Sequence, residues 1–171
     1  MTSKEFELIK EMLPMQSRLD KSIMSAYGLT DINKKDLKMA ILDEIGELTH
    51  ELKGEWCWWK KTQAPVDEEK VLGELVDIWH FVLSYQNYFN FGKETLDSYL
   101  NEKEYSDTYL ERFREEYLSL PIALTLLVND GNYIIEMLIA ITEHLGFTVE
   151  QVYFAYCGKN KINYQRLKEG Y

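Results

Sequence analysis

The chain has 171 residues, of which 46% are hydrophobic and 28% charged, and this composition is typical of a globular protein rather than a disordered one. Its formal net charge of −10 argues against broad electrostatic binding to nucleic acid or to an anionic membrane. We expect a cytoplasmic protein with no membrane span, because no apolar run is long enough to cross a bilayer and no signal peptide is evident. The two cysteines, Cys57 and Cys157, form no CxxC motif and are expected to be free thiols.

Apolar residues recur every three or four positions along most of the chain, and this spacing predicts an all-α fold. We expect one domain over residues 1–171, built as a bundle of about six to seven helices. The predicted helices cover about residues 4–27, 33–53 and 67–91, one or two helices within 94–118, a short helix from 121, and helices over 133–145 and from 149 onward.

The first helix carries a glutamine, Gln16, within its apolar stripe. A glutamine in that position is either a border residue that faces water or a side chain that reads a base edge, because its amide both donates and accepts hydrogen bonds. The helical pattern alone leaves both interpretations open.

Two pairs of acidic residues lie on successive predicted helices, each pair three positions apart: Glu44 with Glu47, and Glu74 with Asp77. Residues at i and i+3 are neighbours on a helix surface, so each pair offers two carboxylates to one side. Such residues usually form a solvated face, but here they project from or beside the apolar arcs, where an unpaired carboxylate is costly to bury. The pattern therefore predicts a metal site between the two helices, and hard oxygen ligands suit Mg²⁺.

A tryptophan-rich segment, WCWWK, connects these two helices and contains Trp56, Trp58 and Trp59. Such a segment either caps the hydrophobic core or forms a stacking wall for a planar ligand.

The last helix begins with a capping box, Thr148 to Gln151. Farther along it, Lys159, Asn163 and Arg166 are spaced i, i+4 and i+7, which places them within about 60° of one another. This basic ridge is either the solvated basic end of a helix, which complements the helix dipole, or a phosphate clamp.

Taken together, these motifs resemble the all-α, dimeric dUTPase family, which belongs to the all-α NTP pyrophosphohydrolase superfamily. The ExxE motif in DEIGE and the ExxD motif in ELVD resemble the superfamily as a whole. The C-terminal segment KNKINYQRLKEGY and the segment MQSRLD at residues 15–20 are similar to dUTPases in particular.

The resemblance implies hydrolysis of dUTP to dUMP and pyrophosphate, dependent on two or more Mg²⁺ ions, with Mn²⁺ as a possible substitute. It also implies that the protein is a homodimer and that it binds a deoxynucleotide as its substrate. By the resemblance, the metal ligands are Glu44, Glu47, Glu74 and Asp77; the base and sugar contacts are Gln16, Asp20, Trp56 or Trp59, and His80; and the phosphate contacts are Lys159, Asn163 and Arg166. Glu44 or Glu47 is the candidate general base, because a carboxylate not fully used in coordination can take a proton from water.

Three alternatives compete with this interpretation. The related viral dCTPase-dUTPases share much of the pattern, so a broader dCTP/dUTP or other dNTP pyrophosphohydrolase is the alternative within the same class. The pairs Glu47-x-x-His50 and Asp77-x-x-His80 have the spacing of ferritin-like di-iron carboxylate proteins. A helical interaction protein without catalytic activity is the third alternative.

Overall fold

A computed structural model describes residues 2–90, 111–112, 119–129 and 134–170, and the prediction for the rest of 94–118 lies outside these residues. Every regular element within the described residues is helical, so the all-α prediction is confirmed. The helices are α1 (Ser3–Tyr27), α2 (Lys34–Glu51), α3 (Lys53–Trp56), α4 (Glu68–Phe89), α5 (Leu120–Asn129), α6 (Ile134–His144) and α7 (Val149–Glu169).

The helix ends follow the capping residues of the sequence. Thr2 and Thr148 form capping boxes at the starts of α1 and α7, and Asp67 accepts hydrogen bonds from the first backbone amides of α4. Gly28 ends α1 in the left-handed conformation at φ 66°, which a glycine adopts without strain. One boundary differs from the prediction: the helix expected over 33–53 is divided at Leu52 into α2 and α3.

The helix α4 lies at the centre of the bundle, and α1, α2, α6 and α7 all pack against it. Most of its residues from Val71 to Gln86 are buried, including Trp79, which is 0% exposed. The indole Nε1 of Trp79 donates a hydrogen bond to Thr142 Oγ1 of α6 at 3.1 Å, so this large ring is buried without losing its polar contact.

Four helices meet where the polar residues of α4 lie. α2 packs along one side of α4, and α1 and α7 pack against each other and against α4. Side chains from four separate parts of the sequence therefore converge beside residues 74–84. In the described part of the chain, no helix combines the length and the apolar character needed to cross a bilayer.

Candidate active site

A cavity of about 430 Å³ opens between α1, α2, α4 and α7. One region of its wall is acidic, another is basic, and a third consists of buried polar groups beside apolar residues. The predicted site residues that line it are Gln16, Asp20, Glu44, Asp77, His80, Lys159, Asn163 and Arg166.

The acidic region contains Glu44 and Asp77, which could share a cation with Glu74 of a neighbouring cleft. Glu44 of α2 and Glu74 and Asp77 of α4 each offer an oxygen, and these oxygens all lie within 4.8 Å of one another. Glu47, the fourth predicted ligand, is exposed and stands outside this trio. Together with Glu74, it lines this neighbouring cleft of about 420 Å³.

The carboxylates of the trio resist ionisation in the absence of a cation. Burial, together with the charges of Asp77, Glu47 and Glu74, raises the pKa of Glu44 to about 7. Burial also raises the pKa of Glu74 and of Asp77 above their ordinary values. Such a cluster gains stability from any cation that enters it, and an all-oxygen ligand set suits Mg²⁺.

The basic region belongs to α7, as the i, i+4, i+7 spacing predicts. Lys159 Nζ lies 2.5 Å from Asp77 Oδ2 and donates a hydrogen bond to it, so the basic and acidic regions touch directly. The lysine opposes the effect of burial on the pKa of Asp77, and the charge of Arg166 acts in the same direction. Asn163 and Arg166 line the same cavity as the acidic residues.

The polar region centres on Gln16, whose side-chain amide is fully used inside the protein. Its Nε2 donates to Asp20 Oδ1 at 2.7 Å and to Ser84 Oγ at 3.1 Å. Its Oε1 accepts from Tyr156 Oη at 2.9 Å and lies 2.7 Å from His80 Nδ1. A primary amide has two N–H groups and one oxygen with two lone pairs, so Gln16 has no free group for a ligand in this arrangement.

His80 is neutral in this environment, because burial lowers its pKa to about 3. Its ring stacks on that of Tyr156, with 4.2 Å between ring centroids and 26° between planes. Since the carboxylate trio includes no histidine, and His50 instead contacts Lys53 at 2.6 Å, the described residues do not support the di-iron alternative.

Asp20 has one satisfied and one unsatisfied carboxyl oxygen. Oδ1 accepts from Gln16 and also from Ser84 Oγ at 3.0 Å, whereas Oδ2 is buried and meets no hydrogen-bond partner among the described residues. Burial raises the pKa of Asp20 to about 6, although the hydrogen bonds from Gln16 and Ser84 oppose this shift.

The tryptophan-rich segment lies apart from the cavity in the described structure. Trp56 is 44% exposed and Trp59 57% exposed, their ring centroids are 5.5 Å apart, and neither ring lines the cavity wall. The indole Nε1 of Trp56 donates to the backbone oxygen of Thr49 at 2.9 Å, which ties the segment to α2. Base contact by either ring stays a prediction.

Ser84 and Tyr156 are site residues that the sequence reasoning missed. Both are buried, and each contributes a hydroxyl group to the Gln16 network. Helical register offered a signal for them, because Ser84 follows His80 by four positions and Tyr156 precedes Lys159 by three, spacings that place residues on the same helix face.

Comparison with known proteins identifies a family for the chain. A family model described as dUTPase matches residues 8–171, which is nearly the whole chain and includes every residue of the cavity wall named above. No curated protein is similar enough to the chain to count as a match.

Proposed function

Because the chain belongs to the dUTPase family, its activity is the hydrolysis of dUTP to dUMP and pyrophosphate, and we propose that the cavity between α1, α2, α4 and α7 is where this reaction occurs. One observation carries the proposal: a single cavity brings together two carboxylates of the trio, a basic ridge and a buried polar network, and Glu74 completes the trio from the neighbouring cleft. These three regions suit a metal, a chain of phosphates and a nucleoside, respectively.

We place the phosphates of the nucleotide between the basic ridge and the carboxylates. Lys159 offers a point charge and Arg166 a planar fork of donors, while Asn163 adds an uncharged donor between them. The nucleoside then lies toward α1 and the middle of α4, where Asp20 and His80 line the wall. Since the amide of Gln16 is already fully bonded, we propose that Gln16 holds Asp20 and His80 in place.

The carboxylate trio fits Mg²⁺, because its ligands are hard oxygens that lie within 4.8 Å of one another and a divalent cation relieves the repulsion between them. When bound there, Mg²⁺ supplies charge stabilisation for the phosphates and lowers the pKa of a coordinated water. Glu44, Glu74 and Asp77 would hold the first ion, and Glu47, which shares a cleft with Glu74, would contribute to a second. Substitution of Mn²⁺ for Mg²⁺ stays a prediction.

The residues of the chain must also remove a proton from the attacking water. We propose Glu44 or Glu47 for this role, because a carboxylate that is not fully used in coordination can accept a proton from water, and Glu47 lies outside the trio.

Replacement of Glu47 by Gln tests this assignment. The side chain is exposed, so the variant should keep the helical circular dichroism spectrum of the wild type. Its turnover of dUTP with Mg²⁺ should fall by about 100-fold or more, the usual contribution of a general base. Near-wild-type turnover would exclude Glu47 from both metal binding and catalysis, and the same measurement on Glu44→Gln would then identify the base.

We further propose that the enzyme acts in the cytoplasm as a homodimer and binds neither nucleic acid nor membrane. Several large apolar side chains are exposed on the described surface, among them Met39 and Leu42 of α2, at 63% and 48% exposure. Neighbouring exposed apolar side chains of this size are suited to a protein interface.

A further inference from the structure

Lys159 connects the two charged regions of the cavity. Its ammonium group lies 2.5 Å from Asp77 Oδ2, and only 29% of its side chain and 17% of that of Asp77 are exposed. One and two turns farther along α7, Asn163 and Arg166 line the same cavity. The lysine is therefore positioned to contact either the carboxylates or a bound phosphate.

The contact with Asp77 has a consequence for metal binding. The three carboxylates lie within 4.8 Å of one another, so their mutual repulsion is relieved by whichever cation is nearest. In the described structure that cation is the ammonium group of Lys159, which donates to Asp77 Oδ2. A metal ion that binds Asp77 must compete with this positive charge.

We propose that Lys159 is an exchangeable cation, which holds Asp77 in the free enzyme and moves to the phosphates when the nucleotide binds, so that Asp77 becomes available to Mg²⁺. The four-carbon stem of lysine allows its charge to move while its backbone stays fixed in α7. Because a nucleotide removes the competitor of the metal, Mg²⁺ and dUTP should each strengthen the binding of the other, and by the same factor. This inference rests on the proposed function.

Calorimetric titration of Mg²⁺ into the intact protein tests this coupling without measuring catalysis. Titrations would be performed with and without a non-hydrolysable dUTP analogue, on the wild type and on Lys159→Met. For the wild type, we expect the analogue to tighten Mg²⁺ binding about 5-fold or more, within the usual range of coupling between sites. In Lys159→Met, Mg²⁺ alone should bind about 5-fold tighter than in the wild type, and the effect of the analogue should shrink.

Two further variants separate the role of Lys159 from a general change in charge. Lys161→Met removes an equal charge from an exposed position on the same helix and should leave Mg²⁺ binding close to that of the wild type. Lys159→Arg keeps a cation beside Asp77 and should keep the weaker Mg²⁺ binding of the free wild type. If Lys159→Met fails to fold, Lys159→Gln replaces it with a polar side chain that carries no charge.

The outcomes also distinguish this inference from the proposed function. Equal or weaker Mg²⁺ binding by the uncharged variants would show that Lys159 and Asp77 form a fixed structural pair and would overturn the inference. The inference would also fail if the analogue left Mg²⁺ binding to the wild type unchanged while that protein still hydrolysed dUTP. Absence of any Mg²⁺ binding to the wild type, even with the analogue, would instead contradict the proposed metal site.

Discussion

The pKa of the Asp20 carboxyl group depends strongly on its burial and on its neighbours. Among the described residues, only one of its oxygens has hydrogen-bond donors, and burial raises its pKa from 3.8 to about 6. Groups from two other helices face it: Ser84 donates to it from α4, and burial together with the charge of Asp20 raises the pKa of Tyr88 in α4 and of Tyr156 in α7. None of these neighbours is a cation, so ionisation of Asp20 is opposed in the folded protein.

This shift predicts a pH dependence of stability. Because the folded-state pKa of Asp20 lies above its unfolded value, the folded protein holds the proton more tightly, and the free energy of unfolding should fall as pH rises from about 4 to about 6. The contribution of Asp20 to that fall is on the order of 3 kcal/mol. Asp20→Asn should lose this contribution, since an amide does not ionise over this range.

Urea denaturation at several pH values gives the free energy of unfolding of the wild type and of Asp20→Asn. The difference between their slopes against pH is the contribution of Asp20, because the other titrating groups contribute equally to both proteins. Asp36→Asn, at an exposed position of α2, serves as the control and should follow the wild type. A pH dependence in Asp20→Asn equal to that of the wild type would show that the buried carboxyl group is not the cause.

Sequence reasoning located residues better than it located their contacts. Helical angles placed Glu44 and Asp77 beside apolar arcs, and both line the cavity. The same reasoning left Gln16 free to read a base, yet its acceptor oxygen is bonded by Tyr156, which lies 140 positions away in the chain. Local periodicity contains no information about such a partner, because the contact depends on how α1 and α7 pack.

In α7, the capping box at the start of the helix sets the register of the functional side chains that follow. Thr148 accepts from the backbone of Gln151, and the side chain of Gln151 accepts from the backbone of Thr148. This capping box fixes the start of α7, and Lys159 and Arg166 follow in register from there. The capping box could be predicted from the sequence. The break at Leu52 could not, because Leu52 is buried and leucine is not a residue type typical of turns.

Removal of the cap should weaken the protein without altering its site. Thr148→Ala is expected to lower the free energy of unfolding by about 1 kcal/mol, because a helix amide loses its side-chain acceptor. The KM for dUTP should stay close to the wild-type value, since the substitution is about three turns from Lys159. Thr148→Ser, which keeps the hydroxyl group, is the matched control; equal loss of stability in both variants would show that the cap is not responsible.

For the whole molecule, the proposed dimer gives a prediction about mass. The chain has a mass of 20.3 kDa, and sedimentation equilibrium should give twice this value. Association depends on protein concentration, so dilution should lower the midpoint of thermal unfolding. A protein that sediments as a monomer at every concentration, yet hydrolyses dUTP, would contradict the dimer and leave the catalytic proposal intact.

We propose that the carboxylate trio holds Mg²⁺ for the hydrolysis of dUTP. An assay of pyrophosphate release measures whether the reaction depends on this metal site. With dUTP and Mg²⁺ the protein should release pyrophosphate and dUMP in equal amounts, and a chelator should stop the reaction. A panel of dCTP, dTTP and UTP in the same assay tests the broader alternative. Glu44→Gln should lower kcat about 100-fold or more, while Asp36→Asn on the same helix keeps it. Full turnover after chelation, or a wild-type kcat in Glu44→Gln, would contradict the account.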